Sequence, residues 1–272
     1  MFDYLQYEFF WRTLVIGLIL SGVSPIIGLL LITKRNSGLI DTLSHSSLLL
    51  ALINSFLKIP LFVTAILSSL IMSLSVTKFN QIQKKFPESI NIAITIIFLA
   101  ITNILISKTK NLNSTFSSYL FGSITTVNLN DIFVALAIST IVLTVYLFYY
   151  SKFFLISLDS DLAIVNGINI KRLNFLGLFL AGLVIIISLP TIGLIMTTGI
   201  IILPTLSAIN LELNYKRTLI YSILISIVGF LIGLIIALTF SLPVSSAVII
   251  THLGIYLIIS LVKNKKTPLI YK

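Results

Sequence analysis

Residues 218–240 read TLIYSILISIVGFLIGLIIALTF and contain no charged side chain. An α-helix rises 1.5 Å per residue, so about 20 apolar residues cross the roughly 30 Å hydrocarbon core of a bilayer. This stretch is therefore read as a transmembrane helix. Gly229 and Gly233 give it a GxxxG spacing, which lets a neighbouring helix approach closely. The rest of the chain repeats the pattern. It has 272 residues, of which 57% are hydrophobic and 10% charged, against roughly 25% charged in soluble domains. The fold class expected is all-α: a polytopic transmembrane helix bundle forming a single domain over 1–272.

Hydropathy and charge place further spans at 9–33, 39–57, 60–76, 89–106, 131–150, 173–189, 193–209 and 244–262. With 218–240 that makes nine. It becomes eight if the short seventh segment, interrupted by Pro204, re-enters instead of crossing. Gly22, Pro25 and Gly28 are expected to kink the first span. Basic residues mark every second loop: Lys34 and Arg35, Lys78 with Lys84 and Lys85, Lys152 with Lys171 and Arg172, Lys216 and Arg217, and the C-terminal lysines. Lys58, Lys108 and Lys110 lie on the opposite loops. By the excess of basic residues in cytoplasmic loops, the N-terminus is expected outside and the C-terminus in the cytoplasm.

The same rule accounts for the net charge of +10 without a nucleic-acid partner. Cysteine is absent, which excludes disulfides, thiolate metal sites and cysteine nucleophiles. The N-terminal residues carry Asp3 and Glu8 and do not read as a cleavable signal. There is no phosphate-binding GxxxxGK loop, no HExxH and no GxSxG elbow, so neither ATP binding of that type nor serine hydrolysis is indicated.

Chemistry is concentrated in Asp41-Thr42-Leu43-Ser44-His45-Ser46-Ser47. A spacing of four puts Asp41 and His45 on one helical face. An acid within a span is a functional candidate because it must face a partner or water. Carboxylate oxygen with neutral imidazole nitrogen suits zinc, manganese or iron, and the flanking hydroxyls suit second-layer donors. The alternative is that Asp41 caps the second helix and His45 makes a packing contact. Two ligands are fewer than the four of a structural site, but transport needs only transient ligation. His252, mid-span in the last helix, is a weaker metal candidate; Thr251 and Ser246 are close enough in sequence to satisfy it.

A second signal is the polar segment 151–172. Asp159 or Ser160 caps a short amphipathic helix and Gly167 ends it. Such a helix either lies on the membrane or docks a cytosolic partner, and its pattern does not separate these.

Four stretches in order resemble the ABC-3 metal permeases, the zinc/manganese/iron ABC-importer permease family. They are Asp41-Thr42-Leu43-Ser44-His45-Ser46, Ser118-Tyr119-Leu120-Phe121-Gly122-Ser123, the run from Asp161 to Arg172, and the run from Gly193 to Ala208 followed by Leu242-Pro243-Val244-Ser245-Ser246-Ala247. The resemblance implies a permease homodimer around a central pathway, with no permanently bound cofactor and a divalent metal ion as cargo. It implies a cytosolic ATPase docked on a coupling segment around Asp159, Asp161, Asn166, Gly167, Lys171 and Arg172, and an extracytoplasmic metal-binding protein. It puts Asp41 and His45 on the metal pathway and the chain in a cell inner membrane or an organelle membrane of bacterial ancestry. The chain departs from the family pattern at Ile40, where glycine is usual, and at His252, where the family is apolar. The competing reading, an ATP-independent secondary cation carrier, predicts inverted repeats and several intramembrane carboxylates. An intramembrane hydrolase would need a serine within reach of a histidine.

Overall fold

The structure, a computed structural model, describes residues 8–33, 38–57, 59–82, 87–108, 112–122 and 127–266. Over these the chain is all-helical. In order, the helices are α1 (Glu8–Ile32), α2 (Gly38–Leu57), α3 (Leu61–Ile82), α4 (Pro87–Lys108), α5 (Leu112–Phe121), α6 (Leu129–Phe148), α7 (Tyr150–Leu158), α8 (Ser160–Val165), α9 (Ile170–Ile192), α10 (Leu194–Ile209), α11 (Tyr215–Phe240) and α12 (Val244–Lys266). Asp3, Lys34, Arg35, Lys58, Lys84, Lys85, Lys110, Ser123 and Lys272 lie outside the described residues.

Among the described residues, seven helices are long and apolar enough to cross a membrane: α1, α3, α4, α6, α9, α11 and α12. This does not support the expected count of eight or nine. The reason lies in two helices. α10 has 16 residues, about 24 Å of helix, which is shorter than the hydrocarbon core. α2 has 20 residues, but Asp41, Thr42, Ser44, His45, Ser46, Ser47 and Asn54 dilute its apolar content. Both are enclosed by other helices. α2 packs on α4, α9 and α3, and α10 on α12, α11 and α1. Protein, not lipid, is their main surrounding, which is what a polar or short helix at membrane depth requires.

The core is centred on α9, buried on all sides from Leu180 to Leu189 and packed against α3, α2, α1, α6 and α10. A helix apolar all round is stable only in such a position. Buried hydroxyls within the helices largely bond their own backbone four residues back, as Ser188 does to Val184 O (2.7 Å) and Ser222 to Thr218 O (2.7 Å). This satisfies them without a partner helix. Pro25, Pro190 and Pro204 all lie inside helices. The interruption expected at Pro204 is absent. The chain breaks instead at Gly193, with φ of 80°, a conformation that glycine adopts without steric cost. The backbone of Gly122, also at positive φ, fills the space where a Gly193 side chain would stand.

The expected close approach at the GxxxG is present. A Cβ on Gly233 would stand 2.5 Å from Val248 Cα, and one on Gly229 would stand 2.6 Å from His252 Nε2. α11 and α12 are thereby held together along their length. Contacts also sort the helix ends. At one end of the bundle Arg12, early in α1, donates to Val127 O before α6 (3.4 Å), and Gly122 after α5 abuts Gly193 after α9. At the other end the Tyr146 and Tyr215 hydroxyls are 3.3 Å apart, joining the close of α6 to the start of α11. There too, Lys263 of α12 donates to Glu212 after α10 (2.6 Å). Two short helices were not foreseen: α5, inside the expected loop 107–130, and α7, which precedes the anticipated helix α8.

Candidate functional site: a polar helix inside the bundle

α2 begins at Gly38, so Asp41 is a residue of its first turn. Its carboxylate is exposed there, where the partial positive charge of the helix N-terminus favours an anion. His45, one turn on, is half-buried. Its Nδ1 is fully buried and has no hydrogen-bond partner, and Ser44 Oγ is in the same state. The other hydroxyls of the segment are engaged. Thr42 donates to Gly38 O and Asn91 O (both 3.1 Å), Ser46 to Thr42 O, and Ser47 to Met72 Sδ (3.2 Å).

Sequence reading missed the wall opposite. On α4, Thr95 donates to Thr42 Oγ1 (3.0 Å) and to Asn91 O (2.9 Å). Asn91 is 3% exposed, and its Oδ1 is buried without a partner. Asn91 and Thr95 are four apart, so both lie on the face of α4 that meets α2. That spacing, inside a largely apolar span, was the available signal. A buried polar atom without a partner costs free energy. Four of them, Ser44 Oγ, His45 Nδ1, Asn54 Oδ1 and Asn91 Oδ1, fall on this pair of helices, the first two within the Asp41–Ser47 stretch. No group of three or more His, Asp or Glu side chains able to hold a metal occurs among the described residues, so within one chain the pair stands by itself.

His252 is placed differently. It is 1% exposed, with Nδ1 2.8 Å from Val248 O and Nε2 3.3 Å from Ser226 O. Both ring nitrogens face carbonyl oxygens, and neither Thr251 nor Ser246 satisfies them.

In the segment 151–172, several of the singled-out residues shape the backbone. Asp159 caps α8, accepting from Asp161 N (2.7 Å) and Leu162 N (3.4 Å). Asn166 donates to Leu162 O (2.8 Å). Gly167, with φ of 73°, ends the helix; its N–H bonds Ile164 O (2.9 Å) and that of Ile168 bonds Ala163 O (3.0 Å). This is the paired closure that glycine permits. Asp161, Lys171 and Arg172 are exposed. The surface that α8 presents is largely apolar, which sequence reading had not emphasised: Leu162, Ile164 and Val165 are 52%, 59% and 84% exposed, and Leu158 at the end of α7 is 63% exposed.

The chain is similar to proteins of known role. The zinc uptake membrane protein ZnuB of Buchnera aphidicola subsp. Baizongia pistaciae is 26% identical over 259 residues, covering 95% of this chain and 99% of that relative. The manganese transport membrane protein MntC of Listeria monocytogenes is 27% identical over 217 residues, covering 79% of this chain and 77% of the relative. The fold matches a chain of PsaBC from Streptococcus pneumoniae with a TM-score of 0.85 at 21% identity, covering 97% of each. The profile of the ABC 3 transport family spans residues 6–263, and this chain, a multi-pass membrane protein by its apolar helices, belongs to that family.

Proposed function

We propose that the chain is the membrane permease subunit of an ATP-binding-cassette importer that carries zinc, manganese or iron. One observation carries the metal reading. A carboxylate and an imidazole with a buried, unpartnered Nδ1 stand one turn apart on a helix that protein, not lipid, surrounds. Asp41 and His45 replace part of the ion's water shell as it passes. A pair of ligands holds an ion weakly enough to release it, and a second copy of the chain in a homodimer would supply another pair. The zinc and manganese systems named for ZnuB and MntC support this cargo.

ATP hydrolysis belongs to a separate subunit, since this sequence has no phosphate-binding loop of the GxxxxGK type. The ATPase docks on α8, whose exposed Leu162, Ile164 and Val165 seat in it while Asp161, Lys171 and Arg172 surround the contact. An extracytoplasmic metal-binding protein delivers the ion at the opposite end. Counting α2 and α10 as protein-enclosed crossings gives nine, with the N-terminus outside, the C-terminus in the cytoplasm and the chain in a bacterial inner membrane. The sorting of helix ends described above supports that alternation. The chain does no covalent chemistry.

The test is uptake of radiolabelled zinc and manganese by the assembled transporter carrying Asp41→Ala. Uptake is expected to be lost while the ATPase still copurifies. Full uptake by the variant would remove the pathway role. Uptake by the wild-type chain with no ATPase copurifying would point instead to a secondary carrier.

A further inference from the structure

α7 joins α6 to α8 and has two occupied faces. On one, the fully buried Phe153 stacks on Tyr146 of α6, with ring centroids 6.0 Å apart. The same ring lies over α9, where a Cβ on Gly177 would be 3.7 Å away. The other face carries Tyr150, Phe154 and Ser157, spaced i, i+4 and i+7 and therefore aligned. Tyr215, the first residue of α11, lies against this row. Its ring is 5.8 Å from Tyr150 and 5.2 Å from Phe154. Ser157 sits beside its hydroxyl, which is 3.3 Å from that of Tyr146.

A tyrosine at the end of a membrane helix ordinarily turns its hydroxyl toward the headgroups. Tyr215 does the reverse and turns into the protein. α8 packs chiefly on α7, so whatever displaces α8 also displaces α7. α11 is tied in turn to α12 by Gly229 against His252, and to α1 by Phe230, whose ring occupies the space beside Gly17. Packed elements of this kind shift between discrete arrangements and do not deform smoothly.

We propose that Tyr215 is a positioning residue that passes displacement of α8 and α7 to α11, and through it to α12 and α1. This rests on the reading of α8 as the ATPase dock.

The experiment uses the complete transporter in liposomes, with its ATPase and binding protein, and reads radiolabelled zinc or manganese moved per ATP hydrolysed. Tyr215→Leu is expected to keep ATPase copurification and hydrolysis while that ratio falls about fivefold or more, the usual scale of coupling between sites. Tyr215→Phe, which keeps the ring, should fall less. Phe154→Leu removes the other half of the contact, and the double variant should be no worse than the poorer single one. An unchanged ratio in Tyr215→Leu, or independent losses that multiply in the double variant, would overturn the proposal. If Tyr215→Leu does not assemble, the ratio in Phe154→Leu decides in the same way. Val165→Glu separates the two readings. If the ATPase still copurifies with it, the docking role of α8 fails. If the ATPase is released and the Tyr215→Leu ratio is unchanged, only the role of Tyr215 fails.

Discussion

His45 and His252 both sit in helices of the bundle, and their surroundings differ. His252 is enclosed at the α11–α12 seam, where both nitrogens meet carbonyl oxygens and Gly229 yields its side-chain space to the ring. His45 is half-buried with Nδ1 unpartnered, and four residues before it comes a carboxylate. The comparison teaches that helical position alone does not make an imidazole a ligand. What matters is whether a ring nitrogen is left without a polar neighbour, and of the two histidines only His45 leaves one.

The strongest way to break this contrast is uptake. His45→Ala should lower metal uptake by at least about a hundredfold, beyond the ten- to hundredfold seen when only a supporting partner of a ligand is removed. His252→Ala should leave uptake per assembled transporter within about twofold. Equal losses in the two variants would erase the distinction.

A smaller effect is expected at the seam. Gly229→Ala places a methyl group 2.6 Å from His252 Nε2. Overpacking of that kind costs about 1–3 kcal/mol, visible as earlier thermal unfolding in detergent. His252→Ala opens room for that methyl, so the double variant should be less unstable than the sum of the two singles. Additive losses would show that the ring and the glycine do not press on each other.

The two regions also differ in how far sequence reveals them. The spans were legible because lipid imposes a length and an apolar composition that composition alone reports, and each expected span has a helix over most of its length. α2 and α10 were legible as helices, and α10 as a short one, but their enclosure by protein was not, since it depends on which helices surround them. The GxxxG announced a close approach without naming His252 as the group it admits. Asp41 and His45 were visible as an i, i+4 pair. Asn91 was not, because its relation to α2 passes through Thr42 and Thr95 across two helices. In segment 151–172 the caps were readable from Asp159 and Gly167. The seating of Tyr215 against α7 was not, because it joins residues about sixty positions apart.

The finest test of the contrast lies within α2 itself. Ser44 and Ser46 are both buried, yet Ser46 Oγ donates to Thr42 O whereas Ser44 Oγ has no partner. Removing an unpartnered buried hydroxyl relieves a desolvation cost, so Ser44→Ala should leave thermal stability unchanged or raise it by up to about 1 kcal/mol. Ser46→Ala removes a made bond and should lower stability by about 0.5 kcal/mol, near the average for membrane hydrogen bonds. If the Ser44 hydroxyl serves the passing ion, its uptake rate should fall severalfold in the very variant whose stability holds. A stable Ser44→Ala chain with wild-type uptake would confine the site to Asp41 and His45.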